Sequence, residues 1–321
     1  MSSSASQPEL KRVEDLWFPD ASLILRAENS LFRVHSSILA ARSSVFRDMI
    51  TFPQPRQPEG GEADMVDGCI VVRLHDSATE VEVFFKAIFD SSFFERAPVP
   101  VDFSALIGVL RLSHKYDVQY LFRRALSHLD SMYPTSLQTL QDILTGETYP
   151  HVYSSCQWEI TEHMGALRAA SEVGASWLLP AVYYRITSTF SMELADGRLS
   201  IADVQRCLTA QTAFVRATTE SHAFLRLLPA PTCRTPMRCR TAVSAAYGML
   251  DEWSSDQEDC NPLSSWVFYC TGLPCDTCTE MAKSSFSAVQ ERFWARLPSI
   301  FGLAEWEELK KMETAIMESA A

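Results

Sequence analysis

Along the first 130 residues, apolar positions recur with a spacing of two, then of three and four, and then switch again. In Asp20-Ala21-Ser22-Leu23-Ile24-Leu25-Arg26, Ala21, Leu23 and Leu25 alternate with Ser22, Ile24 and Arg26. Successive side chains of an extended chain point to opposite faces, so this run predicts a half-buried strand. Glu28-Asn29-Ser30 carries turn chemistry, and Leu31-Phe32-Arg33-Val34-His35 places Phe32 and Val34 on one face. The two runs predict a β-hairpin. From Ser36, residues Ile38, Leu39, Arg42, Val45, Phe46, Met49 and Ile50 predict helix, broken near Arg42-Ser43-Ser44. Phe52 to Gly68 is rich in proline, glycine and acids and reads as a loop. Cys69 to Leu74 is a third strand, and Thr79 with Glu82 has the spacing of a capping box ahead of Val83, Phe84, Ala87 and Ile88. Helices follow over 106–116 and 118–132. Three short strands among about five helices define an α+β unit.

After Tyr133-Pro134 the pattern stays helical. Stripes run through Ile160, Met164, Leu167, Ser171 and Gly174, through Ile201, Val204, Leu208, Thr212 and Val215, and through Trp306, Leu309, Met312 and Ile316. Pro180 is placed to open a helix through Tyr183 and Ile186, and Ser200 with Asp203 to cap the next. Helices are also expected over 242–253 and 281–297, with a turn at Asp196-Gly197-Arg198 and an acidic loop over 251–262. The organisation read from this is a disordered tail over 1–14, an α+β domain over 15–133, and a mostly helical region over 134–321 with a cysteine-rich segment at 233–278. No repeat of 20–50 residues is visible, which argues against a repeat array.

The chain of 321 residues is 47% hydrophobic, with 28 Lys plus Arg against 40 Asp plus Glu, for a net charge of −12. That balance disfavours a nucleic-acid surface or a peripheral membrane face, both of which use clustered cations. The N-terminus carries no signal-peptide pattern, and no run of about 18 apolar residues occurs, so a cytoplasmic or nuclear protein without a membrane partner is expected. None of the eleven glycines precedes a lysine and none stands in G-x-G-x-x-G or G-x-S-x-G spacing. The phosphate loop, dinucleotide fingerprint and nucleophile elbow are thereby missing. The seven histidines are too far apart in sequence for an H-x-x-x-H metal pair. A non-enzyme is expected, although a triad assembled from distant residues is not visible to such a reading.

His35-Ser36-Ser37-Ile38-Leu39-Ala40-Ala41-Arg42-Ser43-Ser44-Val45-Phe46 resembles the His-x-x-x-Leu-Ala-Ala-x-Ser-x-x-Phe signature of BTB/POZ domains. Asp20, Phe32 and the later Lys115-Tyr116-Asp117-Val118 also stand where that family has them. The resemblance covers about residues 15–133 and makes Asp20, Phe32, His35, Leu39, Ser43 and Phe46 structural signature residues. Asp20 and His35 are expected as a buried polar pair. The resemblance implies a protein-interaction module, often homodimeric, with Leu23, Leu25, Ile38, Val45 and Phe46 in or near the interface; the simpler reading of the same residues is that they fill the monomer's own core. Some family members are ubiquitin-ligase substrate adaptors that bind a cullin through a hydrophobic-x-acid pattern, which Phe93-Phe94-Glu95 matches loosely. Trp177-Leu178-Leu179-Pro180 and Leu297-Pro298-Ser299-Ile300-Phe301-Gly302 are similar to segments of the expanded BTB-domain families of mushroom-forming fungi.

Six of the nine cysteines fall between 233 and 278. Cys275-x-x-Cys278 has the gap that lets two thiolates reach one zinc ion, and Cys233-x5-Cys239 could complete a tetrahedral set, with Cys260 and Cys270 in reserve. Buried thiols and a redox Cys-x-x-Cys are the alternatives. Three functions follow: a self-associating adaptor that recruits protein partners, a transcriptional cofactor or repressor with a structural zinc, and an enzyme in the C-terminal half.

Overall fold

A computed structural model of the protein describes residues 10–51, 65–153, 160–189, 198–255, 261–263 and 275–318. The chain divides into two compact units, Met1–Leu129 with His151–Ser155, and Asp130–Pro150 with Cys156–Ala321.

In the first unit, β2 (Leu23–Ala27) and β3 (Ser30–Val34) form the expected hairpin, Leu23 opposite Val34 and Leu25 opposite Phe32. β5 (Cys69–Leu74) runs parallel to β2, Ile24 opposite Val71. Two strands were not anticipated: β1 (Lys11–Trp17) lies parallel to β3, and β4 (Met65–Val66) antiparallel to β5, giving the order β1-β3-β2-β5-β4. The sheet therefore has five strands rather than three, and residues 11–14 are strand rather than tail. Residues 1–9 and most of the predicted loop, 52–64, lie outside the described residues. As an edge strand, β1 buries only Leu16, so its sequence Lys-Arg-Val-Glu-Asp-Leu-Trp is mostly charged and hides its period. The hairpin strand β2 is more buried than its alternation implies. Ile24 and Leu25 point to opposite faces and neither retains exposed surface, because the strand is central and both faces are covered.

The predicted break between α1 (Ser36–Arg42) and α2 (Ser44–Thr51) falls at Ser43, whose backbone is extended. Its buried hydroxyl donates to the Tyr116 carbonyl at 2.5 Å and accepts the Phe46 N–H at 3.0 Å, starting the second helix and tying it to a distant one. The expected capping box at Thr79 is not the start of α3 (Ala78–Phe89). The helix begins one residue earlier, and Glu82 pairs instead with Lys86 at 2.9 Å. β6 (Val101–Asp102) leads into α4 (Phe103–Lys115), capped by Asp102 accepting the Ala105 N–H, and α5 (Gln119–Asp130) follows. Gly108 lets α4 approach α3: a Cβ there would stand 2.8 Å from Val83. Phe32, Phe46, Phe84, Phe85 and Tyr116 form the core, with Phe46 stacked on Tyr116 at 4.5 Å. A segment from beyond α5 completes this unit. β7 (Val152–Tyr153) pairs with β6, and His128 lies between the carbonyl oxygens of His151 (3.1 Å) and Glu95 (2.9 Å).

The second unit is helical among its described residues. It contains α6 (Leu137–Thr145), α7 (Ile160–Glu172), α8 (Leu179–Ser188), α9 (Ile201–Ser221), α10 (Pro236–Ser255), α11 (Asp276–Ile300) and α12 (Trp306–Glu318). Pro180 stands in the first turn of α8, and Ser200 caps α9 by accepting the Asp203 N–H at 3.1 Å, both as expected. Phe214 packs edge-on against Phe293 and near Tyr184, and Trp294 stacks on Trp306 at 4.8 Å. Helix α10 is longer than the predicted 242–253, so Asp251 and Glu252 belong to helix rather than loop; Asp256, Glu258 and Asp259, and the turn residues Asp196 and Gly197, lie outside the described residues. The stripe expected to bury α9 faces the wrong way: Cys207, Ala210, Phe214, Ala217 and Ser221 are its buried residues.

Candidate interaction face and metal centre

The signature residues of the first unit divide by burial. Phe32, Leu39, Ser43 and Phe46 are core. Asp20 and His35 are not the expected buried pair, since the Asp20 side chain is 79% exposed and 3.6 Å from the imidazole. A contact so open to water contributes little to stability. The residues expected at an interface divide too. Leu25 and Phe46 are fully buried within the unit and have no surface to offer, and Leu23 is partly buried. Ile38, Val45 and the neighbouring Ile50 remain 37–39% exposed. Ile38 also lines a shallow groove with Ala41, Ile88 and Phe89. Of the hydrophobic-x-acid residues, Phe94 is buried edge-on against His128 and its carbonyl accepts from Arg124, while Phe93 is partly buried and Glu95 exposed.

In the second unit, four cysteines from two helix beginnings converge. Cys239 sits in the first turn of α10 with Cys233 in the preceding loop; Cys275 immediately precedes α11 and Cys278 lies in its first turn. Their Sγ atoms all lie within 4.8 Å of one another, with Cys233 at 3.5 Å from Cys239 and 3.6 Å from Cys275. All four are free thiols. Cys239 and Cys278 are buried, Cys233 and Cys275 half-buried. The Ala230 N–H donates to Cys278 Sγ at 3.3 Å, and Thr235 Oγ1 lies 3.6 Å from Cys239 Sγ. The Cys278 backbone N–H lowers the Cys275 thiol to about 7, whereas burial raises Cys278 to about 12. Thiolates about 2.3 Å from a tetrahedral metal stand roughly 3.8 Å apart, which is the scale of this cluster. The four cysteines can hold a metal ion. Cys260 and Cys270 lie outside the described residues. The contacts from Ala230 and Thr235 were not foreseen; a backbone donor leaves no mark in the sequence.

Residues 14–133 match the BTB/POZ domain family model. The N-terminal unit is thus a BTB/POZ domain, a protein–protein interaction module, followed by a mostly helical region. No curated protein and no solved structure matches the chain. No helix among the described residues is long and apolar enough to cross a membrane.

Proposed function

We propose that the protein is a non-enzymatic adaptor whose BTB/POZ domain self-associates and recruits other proteins, while one structural zinc ion organises part of the helical region. The observation that carries the reading is the exposure of Ile38, Val45 and Ile50 on the adjoining helices α1 and α2. Aliphatic side chains gathered on an interaction module are removed from water most simply by a partner. Light scattering at micromolar concentration is expected to give twice the chain mass of 36.1 kDa. Val45→Glu should return the single-chain mass with an unchanged circular dichroism spectrum; an unchanged dimer would sink the assignment of this face. As part of this proposal a cullin would contact Phe93 and Glu95, and the absence of co-elution of the chain with a cullin N-terminal region on gel filtration would remove it.

Zinc would be held by Cys233, Cys239, Cys275 and Cys278. Such an ion supplies a cross-link between the starts of α10 and α11, and its binding free energy adds to folding. Close to one zinc per chain by elemental analysis is expected, and Cys275→Ser with Cys278→Ser should abolish it.

A further inference from the structure

From Ser221 to Leu250, a chain of net charge −12 carries four arginines and no aspartate or glutamate. Three of them, Arg234, Arg238 and Arg240, stand at the beginning of α10. All three are exposed, and none makes a hydrogen bond or ion pair among the described residues. Two helices begin at the thiol cluster, and their first turns are built oppositely. α11 opens with Asp276, the sign of charge that a helix N-terminus favours. α10 has no acid in its first turn and sets Arg238 there, with Arg234 just ahead of it. Cations at that end oppose the helix dipole. Asp276 and Glu280, exposed on α11, pair with none of the three arginines. The charges therefore contribute nothing to the folding of α10 and face outward without a counter-charge from the described residues.

Cys239 points into the unit and is fully buried. At about 100° per residue, Met237 then points to the opposite, outward side of α10, with Arg238 and Arg240 on its two flanks. Met237 is 76% exposed. Cys233 Sγ lies 3.5 Å from Cys239 Sγ, which holds Arg234 beside the same turn. One apolar side chain is thus bracketed by guanidinium groups. We infer that this surface binds a short acidic segment of a partner protein, one with carboxylates on both sides of an apolar residue. The planar guanidinium fork matches a carboxylate, and a thioether adapts to the apolar side chain between two of them. A nucleic acid fits less well. Its charges recur about every 1.7 Å along a duplex and continue past the patch, where the rest of a chain of net charge −12 repels them. A short peptide ends its charge where the arginines end. The surface lies in the helical unit and needs neither self-association of the BTB/POZ domain nor a bound metal, so it stands or falls separately from both readings.

The test is fluorescence anisotropy on the full chain at low salt. The probe is a labelled peptide of about eight residues, glutamates on both sides of one leucine, long enough at about 3.3 Å per residue to cross the patch. It should bind about tenfold tighter than the same peptide with glutamine in place of glutamate, a difference that three exposed ion pairs together supply. Arg234→Gln, Arg238→Gln and Arg240→Gln combined should erase that difference. Met237→Ser should weaken both peptides alike, about threefold, through lost apolar contact. The melting temperature of the triple variant should be unchanged or higher, because it removes cations from a helix N-terminus. Equal binding of the two peptides to the unaltered chain, or a folded triple variant that keeps its preference for glutamate, overturns the surface. A single-stranded oligonucleotide of equal charge that binds the unaltered chain more tightly than the peptide overturns the choice of a protein partner.

Discussion

The two units keep their elements together by different means. In the first, rings from a strand, two helices and a helix end meet in one cluster, and Phe46 and Phe84 each touch both Phe85 and Tyr116. In the second, the region around α10 and the start of α11 shows small core clusters among the described residues. One small cluster is built on Phe224, Leu225, Val243, Ala282 and Phe286, and the next on Ala230, Cys239 and Cys278, with Cys233 and Cys275 packed beside it. Where the first unit uses rings, this corner of the second sets four thiols, while other parts of that unit pack rings of their own, Phe214 on Phe293 among them. Side chains that small bury little apolar area, so a metal cross-link there would add to folding what these residues do not. The contrast is between one cooperative core and a local staple.

Phe46→Ala should test it most severely. Losing a fully buried ring costs about 3–5 kcal/mol, comparable to much of a domain's stability. Denaturant titration is expected to show the first unit's transition collapse while that of the second stays in place; loss of both would remove the distinction. Chelation of zinc-loaded protein should have the opposite, local result. Limited proteolysis is expected to open cleavage between 228 and 280 with residues 11–129 still protected, and a cleavage pattern unchanged by chelator would leave the cysteines as ordinary buried thiols.

A pH scan sharpens the second half of the comparison. Asp130 accepts a hydrogen bond from Trp177 Nε1 at 2.9 Å, and burial, with the neighbouring Glu313, raises its carboxyl to about 7. A carboxyl that keeps its proton longer when folded adds stability below its unfolded value near 3.8 and loses it as pH rises through the folded value. The second unit should therefore melt at a lower temperature at pH 8 than at pH 4.5 through this group, and Asp130→Asn should flatten that slope. The smallest effects belong to two signature residues of the first unit. Ser43→Ala removes a buried cap and a buried donor and should cost about 1–2 kcal/mol. Asp20→Asn should be indistinguishable from the unaltered chain in the same titration.

The legibility of these features follows their physics. β2 and β3 carry period-two patterns because each has a face against a core, and the helix break at Ser43 lies where the apolar spacing slips. β1 buries a single leucine and leaves almost no pattern. The α9 stripe misled for a related reason: periodicity locates an apolar face but not what covers it, and the unit's own packing chose the small residues. Cys275 and Cys278 announce themselves by spacing. Their meeting with Cys233 and Cys239 depends on where α10 begins, which the sequence reading placed six residues late. The shared environment of Asp130 and Glu313 joins residues far apart in the chain and has no sequence signal at all.

The strap from His151 to Tyr153 bears on how the protein is made. The N–H of Val101 donates to the His151 carbonyl at 3.2 Å, so β6 acquires its partner only when the chain has grown past residue 151. By then α6, which belongs to the other unit, has already been synthesised. Domains emerging from a ribosome commonly fold as they appear, first one and then the next. Here the order is interleaved: a nascent chain halted just after α5 carries a BTB/POZ domain with one small sheet still open.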